Sequence, residues 1–131
     1  MTPSTSHDID RATGVLIAES LQLGSTLIDL DIVLTKITRL ALEQPAAGQP
    51  PIWTLIEFSI AAANAEILAD RIAEALDTGP WYVEFHTHTE TFIIFRTRTF
   101  RFPRGDQNAT RAATTHARTL GIPDHQLDWP R

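Results

Sequence analysis

The sequence predicts an α+β fold, in which a mainly antiparallel sheet of about five to six strands carries two helices packed on one face. Several segments alternate apolar and polar residues as strands do, and two segments, near 64–76 and 107–120, repeat apolar residues at helical spacing. The chain has 131 residues, an ordinary length for one domain. We therefore expect residues 13–131 to form a single domain behind a flexible leader, residues 1–12.

The composition excludes several classes of protein. Hydrophobic residues make up 43% and charged residues 21% of the chain, as in folded, water-soluble proteins. The longest wholly apolar runs are only a few residues, whereas a membrane helix needs about 20. The chain has no Cys, which excludes disulfides and thiolate chemistry and fits a reducing compartment. We expect a cytoplasmic protein without a membrane partner.

The N-terminal part is predicted to contribute a pair of strands. Val15–Leu23 and Ile32–Leu42 are the segments concerned, and the second is rich in β-branched residues, which favour an extended chain. Leucines at helical spacing in the same region leave a helix open as the alternative. Gln44–Pro51 contains three prolines and a glycine, so we expect it to link the β pair to a core of residues 52–131.

The core is predicted to run strand, helix, hairpin, strand, helix. Its strands alternate in polarity, and its helices each carry one apolar stripe. In chain order, the elements are a strand Ile52–Ile60, a helix near 64–76, a hairpin of Trp81–Thr87 and Thr91–Thr97, a short strand near Phe100 and Phe102, and a helix near 107–120.

Helix ends are marked by turn and capping residues. Asn64 and Asp106 precede the two helical segments and are good N-caps, while Gly121 follows the second segment. The apolar face of the last helix is mostly alanine, which permits a close approach to a sheet. We therefore expect both helices on the same face of the sheet.

Five short motifs resemble a group of small, uncharacterised actinobacterial proteins. The resemblance covers roughly the last 80 residues, and more weakly the region around Leu21–Thr26. The motifs are Trp53–Phe58, Gly79–Tyr82, Thr89–Phe92, Phe102–Asp106 and Leu127–Pro130. The resemblance implies a bacterial cytoplasmic protein and supports strands in the N-terminal part. The group has no assigned activity, so no catalytic residue follows from it.

The sheet face away from the helices carries more apolar side chains than a solvated face needs. If Thr89 and Glu90 form a two-residue turn, Ile93 lies opposite His86 and Phe95 lies opposite Glu84. An exposed apolar face usually marks an interface, so we expect the N-terminal strand pair or a second copy of the chain to cover it. The predicted interface residues are Trp53, Leu55, Glu57, Tyr82, Glu84, His86, Ile93 and Phe95.

Ionisable residues on this face allow a different interpretation. Glu57, Glu84 and His86 could line a pocket for a small molecule. His86 and His88 have the i, i+2 spacing of a strand metal site, with Glu84 or Glu90 as a third ligand. The sequence assigns no catalytic residue, and the candidates it offers are Glu84, His86 and His116. We predict no cofactor.

Arginines near the end of the core suggest an anion site. The candidates are Arg96, Arg98 and Arg104, which precede a helix N-terminus that Asp106 is expected to occupy as its cap. The chain contains no Gly-rich phosphate loop. Its net charge of −5 disfavours nucleic acid as a partner, and the arginines fit a solvated basic sheet edge.

These observations favour a non-enzymatic protein-interaction domain over an enzyme. We expect a homodimer, or an accessory protein that neutralises another protein, using the apolar sheet face. The alternative is a small-molecule-binding domain or small enzyme with Glu57, Glu84 and His86 in its pocket.

Overall fold

A computed structural model describes residues 10–127 and confirms the α+β fold. One open antiparallel sheet has the strand order β2-β3-β1-β4-β5-β6. The strands are β1 (Arg11–Ile17), β2 (Val33–Ala41), β3 (Ile52–Ala61), β4 (Val83–His86), β5 (Glu90–Phe95) and β6 (Arg98–Pro103), and the helices are α1 (Ala65–Ala75) and α2 (Gln107–Thr119). None of the helices described in residues 10–127 is long and apolar enough to cross a membrane.

The N-terminal part contributes two strands, but they do not pair with each other, and only Val15–Ile17 of the predicted strand Val15–Leu23 belongs to β1, because a 3-10 turn follows at Ala18–Ser20. β1 lies between β3 and β4, and β2 lies on the far side of β3 at the edge of the sheet. The prediction that these strands fold over the open sheet face is therefore wrong. The physical reason is that β3 has two edges and its ladder takes one N-terminal strand on each of them.

Two predicted boundaries change with this topology. β1 begins at Arg11, inside the predicted leader, and residues 1–9 lie outside the described residues. The segment 44–51 joins β2 to β3, which are hydrogen-bonded neighbours. It is therefore a hairpin loop within the sheet, and not a linker between two parts of the chain.

α1 packs across one face of the sheet. Its buried residues Leu68, Ala69 and Ile72 belong to the same core cluster as Phe85 and Phe92. Asn64 precedes α1 as predicted, but the prediction that its side chain caps the helix is wrong. Asn64 ends a short 3-10 turn, and its side chain makes no capping hydrogen bond. The helix boundaries are nevertheless close to those predicted, since the apolar stripe determines them.

α2 has the ends that the sequence predicts. The Asp106 carboxylate accepts a hydrogen bond from the Ala109 amide at 3.0 Å. At the other end, Gly121 adopts φ +82°, and the amides of Gly121 and Ile122 donate to the carbonyls of Arg118 and Ala117. This is a Schellman motif, and only glycine enters its left-handed position without strain.

The two helices lie on opposite faces of the sheet, so the prediction that they share one face is wrong. Side chains alternate along β5, and Phe92 and Ile94 pack in the cluster of α1. Ile93 and Phe95 pack on the other side with Ala113 of α2. The four consecutive apolar residues of β5 are the physical reason, because such a run is buried only if both faces of the strand are covered.

The β4–β5 hairpin differs from the predicted register by two residues. Glu84 lies opposite Ile93 and His86 opposite Thr91. The turn is longer than predicted, and the Thr87 hydroxyl accepts hydrogen bonds from two amides within it, including that of Glu90 at 3.0 Å. Because the shift is an even number of residues, each side chain keeps its predicted face.

Candidate functional site

α2 closes half of the sheet face that was predicted to be open. Ile93 and Phe95 are fully buried, in a cluster that also contains Ala113 and Ala117 of α2. Their predicted role in an exposed interface is therefore wrong, because the chain covers them with its own helix. This helix also explains why so apolar a face needs no partner at this end of the sheet.

The other half of the same face forms an open cleft of about 670 Å³. Its floor comes from strands β1 to β4, and its rims come from the β2–β3 loop and from the segment around Gln126. Among its lining residues are the apolar Val15, Ile17, Leu40, Leu42, Leu55 and Pro80, the aromatic Trp53, Trp81 and Tyr82, and the polar Glu43, Gln44, Gln49, Glu84, His125 and Gln126.

The aromatic wall of the cleft is held by contacts of its own. The ring centroids of Trp53 and Trp81 are 5.5 Å apart with the planes tilted by 52°. The Trp53 indole N–H donates to the Pro50 carbonyl at 3.0 Å, and the Tyr82 hydroxyl donates to the Gln126 carbonyl at 2.6 Å. Partly buried aromatic residues whose polar atoms are satisfied in this way are held in one position.

Two glutamines join the rims of the cleft, and no pattern in the sequence pointed to either of them. The side-chain amides of Gln49 and Gln126 donate to each other, each at 2.9 Å. Gln49 is buried and also donates to the Pro80 carbonyl, while its own side-chain oxygen accepts from the Ala46 amide. The only sequence signal was a glutamine between Gly48 and Pro50, which also fits a solvated loop.

The predicted trio of Glu57, Glu84 and His86 is divided between two places, because Glu84 and His86 stay together and Glu57 does not. Glu84 lines the cleft, and the His86 imidazole Nδ1 lies 3.6 Å from its carboxylate. Glu57 is separated from Glu84 by Val15, which pairs with both, so about 10 Å lies between their backbones. Glu57 instead forms an ion pair with Lys36 at 3.8 Å.

His86 and His88 do not form a metal centre with any other side chain described in residues 10–127. Burial, and then the positive charge of Arg104, lower the pKa of His86, so its neutral imidazole is favoured. His88 is exposed in the β4–β5 turn. Among residues 10–127, no three His, Asp or Glu side chains are grouped so that they could hold a metal ion. The predicted pairing of His86 with His88 therefore lacks a third ligand.

His116 belongs to the packing beneath α2 and lies outside the cleft lining. Its ring stands edge-on to Phe95, with the centroids 4.6 Å apart, and it also contacts Phe100. Burial, and then the charge of Arg98, lower the pKa of His116. The side chain is a half-buried core histidine, and no neighbouring carboxylate is among its described contacts.

The predicted anion-binding arginines are spread along β6. Arg96 and Arg98 lie at the β5–β6 turn, where Arg98 stacks over the Phe100 ring at 4.7 Å. Arg104 follows the other end of the strand and donates to the Thr87 carbonyl at 3.5 Å. Six residues of strand put Arg98 and Arg104 roughly 20 Å apart, so the three do not meet around one anion.

Glu19 fixes the strand that carries Trp53 into the cleft. Its carboxylate accepts hydrogen bonds from the Thr54 amide at 2.6 Å and from the Thr54 hydroxyl at 2.9 Å. Burial alone would raise the pKa of Glu19, but the two hydrogen bonds from Thr54, together with the Glu19 backbone amide and the charge of Arg39, outweigh it, and the pKa lies below its usual value. The contact therefore stabilises the ionised carboxylate.

This contact predicts a pH-dependent loss of stability. A carboxyl group with a lowered folded-state pKa contributes stability above its ordinary pKa, and the contribution disappears as pH falls through the folded pKa. We expect Glu19→Gln to reduce the free energy of unfolding by about 1 kcal/mol near pH 7 and by a smaller amount near pH 3. Urea denaturation at both pH values measures the effect, with Glu74→Gln, an exposed change on α1, as the control. An equal loss at both pH values would contradict the assignment.

Comparisons with known proteins give no independent indication of function. A scan of family models, a search of curated proteins and a search of solved structures found no match. The geometry of the cleft and of the exposed surfaces is therefore the basis for a functional assignment.

Proposed function

We propose that this protein is a binding domain whose cleft takes a small organic molecule with a flat, apolar body. The observation that carries the proposal is the cleft of about 670 Å³ on the half of the sheet face that α2 leaves open. Cavities that hold small ligands measure about 300–1,000 Å³ and are mostly apolar, with a few polar groups. This is the function that the sequence offered as its alternative.

The shape of the cleft supports binding without a large rearrangement. Gln49 and Gln126 hold the two rims together, and Trp53 and Tyr82 are each fixed by a hydrogen bond to backbone. A preformed site loses little conformational entropy when a ligand enters, which favours affinity. The floor residues Val15 and Leu55 offer apolar surface to the body of the ligand.

A fragment screen tests this proposal. The protein is titrated with neutral aromatic fragments such as indole and naphthol, and binding is followed by heteronuclear NMR. We expect changes in the chemical shifts of the backbone amides of Val15, Leu55 and Gln126 and of the Trp53 indole N–H. We expect Trp53→Ala to raise the dissociation constant of the tightest-binding fragment about tenfold, because the substitution removes the largest partly accessible ring of the aromatic wall.

Two further variants make the result interpretable. Val15→Arg, at a residue 38% exposed on the cleft floor, should obstruct binding without removing core packing. Ile67→Ala, at an exposed position on α1, should leave binding unchanged. Shifts confined to α2, or no shift with any fragment, would contradict the proposal.

The exposed edge of the sheet favours protein interaction as a second function. Val33, Leu34 and Ile37 of β2 are more than half exposed, and β2 pairs with a neighbour on one side only. Exposed apolar strand edges are templates for pairing with another chain. Self-association, or binding of another cytoplasmic protein, is the function that the sequence predicts first. Sedimentation velocity tests it, since a strict monomer would contradict self-association.

A further inference from the structure

The two edges of the sheet differ in their protection against pairing. β6 has six residues, presents Arg98 and Arg101, and ends at Pro103, features that discourage edge pairing. β2 has nine residues, of which Val33, Leu34 and Ile37 are 51%, 57% and 60% exposed. The edge at β2 is thus the longer and the more apolar of the two.

The apolar residues of β2 continue into an exposed patch on the α1 face of the sheet. Ile37 lies opposite Ile56 of β3, and Leu34 lies opposite Phe58. Both side chains therefore point to the same face of the sheet as α1, which leaves this part of the face exposed. Ile52, on the same face of β3, is 48% exposed. Leu34 and Ile37 border the open edge, and Ile52 lies one strand further in.

The charges of β2 restrict how this edge can pair with a second copy of itself. The register shifts between Leu34 and Lys36, which leaves residues 36–41 as the regular stretch. A two-fold axis at Lys36 or Arg39 would place like charges directly opposite each other, which is destabilising. An axis at Thr38 would place both cations opposite apolar side chains.

An axis at Ile37 avoids these conflicts. It sets Ile37 against the same residue of the second copy, Lys36 against Thr38, and Arg39 against Thr35 at the register shift. The charge of Lys36 is already paired with Glu57 within its own chain, at 3.8 Å. The exposed apolar side chain is thereby buried without opposing two cations.

We propose that two copies of this protein associate through antiparallel pairing of their β2 strands, with the two-fold axis at Ile37. The pairing joins the two sheets into one continuous sheet and brings the exposed patches of the two copies together on one face. This inference rests on the proposed protein-interaction function and names its partner, and it leaves the cleft of each copy on the opposite face.

Cysteine crosslinking tests the register directly, because the chain has no Cys. Directly opposed residues of an antiparallel pair have Cα atoms about 4.5–5.5 Å apart, within the span of a disulfide. Ile37→Cys is therefore expected to give a disulfide-linked dimer under mild oxidation. Arg39→Cys is the matched control, because its two copies would lie roughly 13 Å apart along the strands and should not crosslink.

Sedimentation velocity then tests the association. We expect Ile37→Lys to raise the dissociation constant of the dimer about tenfold or more, because two buried ammonium groups would face each other. Ile67→Lys alters a similarly exposed isoleucine on α1 and should leave the dimer intact. Since Ile37 is 60% exposed, its replacement leaves the fold of the monomer unchanged, which circular dichroism can verify.

The outcomes separate this inference from the function on which it rests. A wild-type chain that stays monomeric overturns self-association and the β2 pairing together. A dimer that persists in Ile37→Lys, or that crosslinks through Arg39→Cys and not through Ile37→Cys, overturns the pairing but keeps self-association. Selective crosslinking at Ile37, with dissociation in Ile37→Lys, supports both.

Discussion

Gly14→Ala is expected to lower the free energy of unfolding by about 3 kcal/mol. Gly14 lies in the middle of β1, opposite Phe58 on one side and Phe85 on the other. A Cβ atom at this position would lie 2.4 Å from the Phe85 Cβ and 2.6 Å from the Glu84 carbonyl oxygen. The atoms in conflict belong to the backbone or lie next to it, so relief requires β1 and β4 to separate.

A second glycine provides the control for this substitution. Gly24 has φ +88°, and an added Cβ would meet no atom within 4 Å. Gly24→Ala therefore costs only the backbone strain of the left-handed region, about 1 kcal/mol. Urea denaturation followed by circular dichroism measures both variants. A Gly14→Ala loss no larger than that of Gly24→Ala would show that β1 and β4 are not so closely packed.

Phe95→Ala is expected to cost about 3–5 kcal/mol, the usual loss for removing a fully buried aromatic side chain. Phe95 is inaccessible to solvent, and its ring contacts Tyr82, Phe100 and His116 at centroid distances of 6.3, 5.8 and 4.6 Å. His116 belongs to α2 and Tyr82 to the cleft wall. The substitution should thus loosen α2 on the sheet as well as reduce stability.

Hydrogen exchange distinguishes a local from a general effect of this substitution. We expect amides of α2 to lose more protection in Phe95→Ala than amides of α1, since α1 packs on the other face of the sheet. Phe100→Ala is the control, because Phe100 is only half-buried and its removal should cost less. Equal loss of protection in both helices would contradict the packing of α2 and α1 on opposite faces of the sheet.

Local patterns predicted most elements of this fold, and β1, which lies at Arg11–Ile17 and not at Val15–Leu23, is the exception. The alternation in Ile52–Ile60 predicts β3, and the apolar stripes predict both helices to within about two residues. Asp106 and Gly121 mark the ends of α2 because capping depends on neighbours in sequence. Alternation also put Trp53, Leu55, Tyr82 and Glu84 on one sheet face, where the cleft lies.

The positions of the strands and helices relative to one another were harder to predict from the sequence. The insertion of β1 between β3 and β4 depends on the space at Gly14, and an isolated glycine in a strand pattern does not reveal which strand approaches it. The alanines of α2 indicate close packing on a sheet without indicating which face. Gln49 and Gln126 are 77 residues apart, so their pairing is visible only once the chain is folded.

The sequence by itself determined the α+β class, the position of each helix, and the faces of the strand residues, because side-chain period and capping are local properties of the chain. The tertiary structure alone decided the strand order, the placement of the helices on opposite faces and the exposure of β2. These depend on which apolar surfaces bury one another across the sheet. The candidate cleft exists because α2 covers Ile93 and Phe95 and leaves the rest of that face open.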